Sequence, residues 1–288
     1  MVMTTVEGSG KIFSGPVKQF GSENVIIDKK VFLSIIIQTI KNTIMQTQTY
    51  KNQKLSQIVG QNMKAAEILE ENRIDFCCGG DKTLDEACRE QNIAPQSIEK
   101  QLREALQEND SETEFIRNLD PAELSDYITK RHHAFVRAQI PSLNKYLDKI
   151  CEVHGRNHPE LYKVKEEFEK ASKALTSHMA DEENILFPYI REMTEARSEG
   201  RPPNRKGFET VEGPIQKMLE EHENEGARFD RLDEMTHGFQ VPQDGCNTFR
   251  LTYQQLDAFK KDLHKHIHLE NNILFPEAKR LERELKKQ

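Results

Sequence analysis

The sequence predicts an all-α protein in which a small helical domain precedes a four-helix bundle. An internal repeat gives the first indication: residues 266–276 reappear as residues 178–188 with His, Glu, Asn, Ile, Leu, Phe and Pro at the same offsets. Such a repeat predicts two matching structural units. Four long amphipathic segments give the second indication, at about 121–150, 160–194, 214–235 and 248–285. The breaks within each pair of segments are shorter than the break between the pairs, which favours two antiparallel helical hairpins.

The small domain is predicted over residues 53–108 from its helical periodicity and its helix-start signals. Thr83 with Glu86 three residues later is the pattern of a capping box, and Pro95 suits the first position of a further helix. A unit of about 55 residues is small for independent stability. We therefore expect it to pair with the bundle or with a second copy of the chain.

The remaining boundaries follow from composition. Residues 1–52 are predicted to be an extension that is disordered or not part of the natural protein, because residues 1–44 carry no repeat, cap or ligand cluster. The polar and uncapped residues 109–119 are predicted to form a linker. The bundle is predicted over 120–286, starting where Asp120 caps a helix that has Pro121 in its first position.

Charge and cysteine content limit the possible partners and compartment. The 288-residue chain has a net charge of −7, which argues against nucleic acid or an anionic membrane as a partner. Its one apolar run, Val31–Ile40, is too short to span a bilayer. Five cysteines are an odd number at low density, which suits a reducing compartment. We expect a cytoplasmic protein.

The repeated stretch contains a pattern typical of metal ligands. Histidine and glutamate stand four residues apart in each copy, and on an α-helix this is about 40° of rotation and roughly 6 Å of rise. The two other long helices each offer a histidine at a matching interval, 45 residues before the first copy and 44 before the second. The predicted ligands are His133, His178, Glu182, His222, His266 and Glu270. His132 is an alternative to His133, since only one of two adjacent residues points inward.

Four imidazoles and two carboxylates suit two first-row metal ions. We expect Glu182 and Glu270 to bridge the ions, with two histidines completing each ion and a position left open for a small molecule. Ferritin-like bundles use Glu-x-x-His and four carboxylates instead. With fewer anionic ligands, this centre favours the reduced state, and hence reversible binding or reductive chemistry over storage of ferric mineral.

Several residues near these ligands could support the site or could simply face solvent. Glu221 and Glu183 each adjoin a ligand and either support it or relay protons, although a solvated surface position is the more common fate of a glutamate. His264 and His268 are expected to face solvent. Pro188 and Pro276 are expected to bend or end their helices just beyond the site.

Cys77 and Cys78 lie in a glycine-rich turn upstream of the bundle. They are either ordinary thiols or a solvent-accessible pair that binds iron, takes up nitric oxide or forms a disulfide. A nearby helix start would lower a thiol pKa. Cys88, Cys151 and Cys246 show no partner spacing and are expected to be structural.

The six ligands and the two Asn-Ile-Leu-Phe-Pro tails resemble a hemerythrin-like domain. Joined to the upstream Phe-Cys-Cys-Gly-Gly run at residues 76–80, they resemble the iron-sulfur cluster repair di-iron proteins, the RIC family of the ScdA and YtfE type. The resemblance covers about residues 54–285. It implies two non-haem iron ions, oxo- or hydroxo-bridged, in a homodimeric bacterial protein induced by nitrosative or oxidative stress. It also implies damaged iron-sulfur proteins as partners, with nitric oxide or oxygen as small ligands.

Two other functions fit the same sequence. One is a hemerythrin-like sensor or binder of oxygen, nitric oxide or iron without turnover. The other is a di-iron nitric oxide reductase, which would need an external electron donor because the sequence contains no flavin or nicotinamide motif.

Overall fold

A computed structural model of the chain describes residues 49–106, 110–204 and 210–287, and these residues form helices and no strand. The all-α prediction is therefore confirmed. Four short helices form the small domain: α1 Leu55–Gln61, α2 Lys64–Glu71, α3 Leu84–Glu90 and α4 Pro95–Ala105. The helices that follow are α5 Ser111–Arg117, α6 Pro121–Ile128, α7 Ala134–His154, α8 Glu160–Asp181, α9 Phe187–Glu199, α10 Glu212–Met235, α11 Asn247–Leu269 and α12 Phe275–Leu285.

The caps predicted for the small domain are present. Thr83 accepts from the backbone of Glu86, whose carboxylate accepts from the backbone N–H of Thr83, so the box satisfies two free amides at the start of α3. Pro95 is the first residue of α4. Helices α1 to α4 surround an apolar core in which Leu55, Ile58 and Leu102 are fully buried.

Residues 111–117 of the predicted linker form α5, so the expectation that this segment has no helix cap is wrong. The Asp110 side chain accepts from the backbone N–H groups of Glu112 and Thr113 and so caps the helix. Arg117 then donates to the carbonyl of Gly60 at 2.9 Å, which ties this segment to α1. The polar residues that suggested a linker are a cap and a solvated helix face.

Most of the predicted extension lies outside the described residues, which begin at 49. Its last residues, 49–52, are described and are packed: Tyr50 is buried, and its backbone N–H donates to Glu99 of α4 at 2.7 Å. The folded part of the small domain therefore begins earlier than the predicted residue 53.

The bundle consists of four long helical rods, and its two hairpins are antiparallel. Rod one is α6 with α7, rod two α8 with α9, rod three α10, and rod four α11 with α12. The start of rod one contacts the end of rod two through Asp126 and Arg191 at 2.7 Å. The end of rod one contacts the start of rod two through Asp148 and Lys165 at 2.5 Å. Rods three and four pair likewise through Glu212 with Lys279 at 2.8 Å.

Three of the four rods contain a π-helical turn, which the sequence analysis did not predict. The turns are π1 Thr129–His133, π2 Glu182–Leu186 and π3 Glu270–Leu274. Pro188 and Pro276 follow π2 and π3 at the start of α9 and α12, so they do not end their helices, and the bend that was the other expectation stays a prediction. A proline has no N–H to donate to the carbonyl four residues back, and a π turn accommodates that gap.

The small domain packs on rod four. Glu70 of α2 contacts Lys260 at 3.1 Å and His264 at 2.6 Å, and Asn272 of π3 donates to the carbonyl of Cys77 at 3.0 Å. Among the described residues, no helix is both long and apolar enough to cross a membrane.

Candidate metal centre

The six predicted ligands converge inside the bundle as two groups. His133 and His266 form one group with Glu182 and Glu270, and His178 and His222 form the other with the same two carboxylates. Within each group the ligand atoms lie within 4.8 Å of one another, and every member is buried. The structure places His133, and not its neighbour His132, in the centre.

The π turns help to place the ligands. His133 is the last residue of π1, while Glu182 and Glu270 are the first residues of π2 and π3. A π turn shifts the phase of the helix, so ligands before and after it turn toward one point, and such turns are frequent at functional sites.

Three of the four imidazoles are held from behind. Glu183 accepts from His133 Nδ1 at 2.7 Å, Glu221 from His178 Nδ1 at 2.7 Å, and the Asn271 side-chain oxygen from His222 Nδ1 at 2.7 Å. With Nδ1–H donating outward, each Nε2 presents its lone pair to the centre.

The nitrogen atoms are spaced as donors to a shared ion. His133 Nε2 lies 3.2 Å from His266 Nε2, and His178 Nε2 lies 3.0 Å from His222 Nε2. In the pair of His178 and His222, where both Nδ1–H groups donate outward, the two facing lone pairs repel unless a cation lies between them. With metal–nitrogen bonds of about 2.1 Å, as for zinc, two nitrogens bound at a right angle are roughly 3 Å apart.

The carboxylates also suit a cation. Glu182 and Glu270 are both 0% exposed, and neither oxygen of Glu182 has a hydrogen-bond partner among the described residues. Burial and the neighbouring Glu270 raise the pKa of Glu182 well above its ordinary value. Two buried carboxylates and four inward ring nitrogens therefore form a donor set that fits metal ions.

The glutamates behind the rings are ionised and partly solvated. The hydrogen bond from His178 lowers the pKa of Glu221, despite partial burial. Burial raises the pKa of Glu183, but hydrogen bonds from Arg137 and His133 outweigh it, so the net shift is downward. Their side chains are 35% and 25% exposed, which places each between a ligand ring and solvent. The pairing of Glu221 with His178, a residue of another rod, was not apparent from the sequence.

The expected solvation of His264 and His268 is wrong, since they are 7% and 0% exposed. His264 contacts Glu70, and the His268 ring packs on Phe76 with centroids 5.8 Å apart. They do face away from the metal centre, but the small domain covers that face of rod four.

Cys77 and Cys78 differ in exposure. The Cys77 thiol is buried and donates to Asp75 at 3.3 Å, whereas Cys78 is exposed, and the two sulfurs are 3.9 Å apart. Cys78 and burial together raise the pKa of Cys77 well above its ordinary value, contrary to the expected lowering. Asp75, Cys77 and Cys78 form a further cluster of possible metal ligands. Of the other thiols, Cys88 and Cys151 are buried as expected of structural residues, while Cys246 is exposed.

Two cavities adjoin these groups. A cavity of about 460 Å³ between the small domain and the bundle is lined by Cys77, Cys78 and Asn271, among others. A second, of about 10 Å³, lies beside His178, His222 and His266. Its volume is close to the smallest that holds one water molecule.

A buried centre of four histidines and two glutamates within an antiparallel bundle defines a hemerythrin-like metal protein, and comparison with known proteins agrees. Residues 124–278 match the family model of the hemerythrin HHE cation binding domain. Residues 51–106 match the ScdA_N model, described as a domain of unknown function.

Curated relatives share both parts. The chain is 33% identical over 231 residues to the iron-sulfur cluster repair protein YtfE of Yersinia pestis, covering 80% of this chain and 98% of the relative. It is 28% identical over 221 residues to the iron-sulfur cluster repair protein ScdA of Staphylococcus haemolyticus, covering 77% and 95%. The chain therefore belongs to the family of iron-sulfur cluster repair proteins that join an ScdA_N domain to a hemerythrin domain.

Proposed function

We propose that this protein binds two iron ions, bridged by Glu182 and Glu270, and repairs iron-sulfur clusters damaged by oxidative or nitrosative stress. The observation that carries the proposal is that both groups of possible ligands share these two carboxylates. The relatives named as repair proteins support the cellular role.

Each part of the centre has a role in this proposal. When bound, iron supplies redox chemistry and an exchangeable position for a small ligand such as nitric oxide or oxygen. Glu183, Glu221 and Asn271 fix the rings that hold the ions. The buried side chains of Leu186 and Phe187 exclude water, which strengthens the electrostatic interactions inside the site.

The small domain provides the second part of the proposal. Cys77 and Cys78 stand at the cavity between the domains, where a thiol pair is suited to pass iron, as cargo, to a damaged client protein. The exposed Cys78 is the first contact for such a client. We further propose that the protein acts in the cytoplasm as a homodimer.

Anaerobic purification with iron analysis tests the centre. We expect two iron ions per chain in the wild type and loss of most of the iron in Glu270→Ala, because one residue serves both groups. Glu277→Ala is the matched control, since this glutamate lies on the same rod with its side chain 44% exposed. Undiminished iron loading in Glu270→Ala would remove the shared carboxylate from the ligand set.

Repair is tested separately by adding the iron-loaded protein to an iron-sulfur dehydratase inactivated with nitric oxide. We expect it to restore activity beyond the level reached with an equal amount of free ferrous iron. Failure to exceed free iron, with normal iron loading, would favour the sensor over the repair protein.

A further inference from the structure

The two repeats differ at four positions, and one of them is the residue after each shared carboxylate. In the first repeat this residue is Glu183, which accepts from His133 at 2.7 Å, and in the second it is Asn271, which accepts from His222 at 2.7 Å. Both side chains hold a ligand ring from behind. Only the amide also carries N–H donors.

Asn271 uses that additional donor. Its Nδ2 lies 3.4 Å from the carbonyl oxygen of Cys77, and Asn272 reinforces the contact by donating to the same oxygen at 3.0 Å. The opposite orientation of the Asn271 amide would place its oxygen against that carbonyl and its NH₂ group against His222 Nδ1–H. The hydrogen bonds therefore fix the amide, and one side chain links a metal ligand to the backbone of the small domain.

Among the residues that the structure describes, none makes such a link to the corresponding face of the first repeat. Asn184, the counterpart of Asn272, is exposed and donates to Ala180 of its own helix at 2.7 Å. On the second repeat the loop at residues 76–80 approaches so closely that a Cβ at Gly80 would lie 2.5 Å from the Asn272 side-chain oxygen. The loop thus rests on the asparagine pair of the second repeat.

We propose that Asn271 is a positioning residue that couples docking of the loop at residues 76–80 to the ring of His222. When the loop is docked, the amide is held from both sides and keeps the His222 Nε2 lone pair directed at the centre. When the loop leaves, the amide rotates freely and the ring loses its fixed acceptor. By reciprocity, a metal ion at the His178 and His222 group stabilises the docked loop. The coupling requires only that the centre binds a metal ion and is independent of the repair role.

Hydrogen–deuterium exchange of the peptide over residues 74–82, with and without ferrous iron under anaerobic conditions, tests the coupling. In the wild type we expect iron to slow exchange by about fivefold or more. In Asn271→Asp the acceptor for His222 is kept but the donor to Cys77 is lost, so iron should leave exchange unchanged. Asn184→Asp makes the same chemical change on the first repeat and should behave as wild type. Equal protection in Asn271→Asp would show that iron acts on the loop without Asn271 and would overturn the inference.

A variant on the loop side tests the reverse direction without changing Asn271. Gly80→Val displaces Asn272 and the loop, and we expect the affinity for one of the iron equivalents to fall about tenfold, as when a partner behind a ligand is lost. Unchanged affinity together with faster loop exchange would also overturn the coupling. A wild type that binds no iron would refute the proposed function and this inference together, whereas normal iron binding without loop protection would refute only the inference.

Discussion

Lys260 is the central charge between the two domains, and Lys260→Met should destabilise the protein. Its side chain is 6% exposed, with the ammonium 3.0 Å from Asp233, 3.1 Å from Glu70 and 3.5 Å from Asp230. Removing one partner of a buried ion pair leaves uncompensated charge and costs about 3–5 kcal/mol. In the variant Glu70 still has His264 as a partner, and Asp233 still has Arg73 at 3.9 Å. We therefore expect a cost at the lower end of that range, about 3 kcal/mol.

The assay is thermal unfolding of the metal-free protein at neutral pH, so that metal binding does not contribute to stability. For a chain of this size about 3 kcal/mol corresponds to a fall in Tm of roughly 6–12 °C. Lys265→Met is the matched control, because Lys265 also joins α11 to α2, pairing at 3.4 Å with Glu67, which is 64% exposed. We expect that control to cost less than about 1 kcal/mol. Equal effects of the two variants would refute the reasoning that burial makes the Lys260 cluster strong.

Three further predictions concern other groups. Burial raises the pKa of Glu70, but the bonds of its carboxylate to His264 and Lys260 lower the pKa to about 2. The stability that the ionised carboxylate provides is therefore present above pH 4.5 and is lost as the pH falls toward 2. Urea unfolding should show a loss of about 2 kcal/mol in the free energy of unfolding between neutral pH and pH 3, and this loss should be absent in Glu70→Gln. The backbone N–H of Phe249 and the His154 ring lower the pKa of Cys246 to about 7. The rate at which Cys246 is alkylated, followed by peptide mapping, should therefore rise as the pH passes about 7. In His154→Ala the same rise should occur at a higher pH. The Asp120 side chain caps α6 by accepting from the backbone N–H of Glu123 at 2.9 Å. Asp120→Ala removes this cap and should lower the free energy of unfolding, measured by chemical denaturation, by about 1 kcal/mol.

The helices and ligands could be predicted because they depend on local patterns. Helix starts at Thr83, Pro95 and Asp120 follow from caps that act within one turn. The positions of His178 and Glu182 follow from helical periodicity, and comparison of the repeats identified the remaining ligands. The π turns could not be predicted in this way: π1 has no proline directly after it, and Pro188 and Pro276 alone do not distinguish a bend from a change in hydrogen-bond register.

Local sequence patterns do not show that a residue is buried by a segment far away in the sequence. His264 and His268 looked like solvated residues, because the Glu70 and Phe76 side chains that cover them lie about 190 residues earlier in the sequence. The same distance hid the contact of Asn272 with the loop. One signal was available, since aligning the repeats places Asn271 against Glu183 and shows where the two halves differ.

That difference also bears on the history of the chain. A bundle made by duplication begins with two interchangeable halves, and an additional domain has no chemical reason to prefer either. Asn271 in one half and Glu183 in the other remove the equivalence, since of these two side chains only the amide offers N–H donors to an arriving carbonyl. On the first half Ile185 is 47% exposed to solvent. The second half supports the small domain, so the two halves perform different tasks.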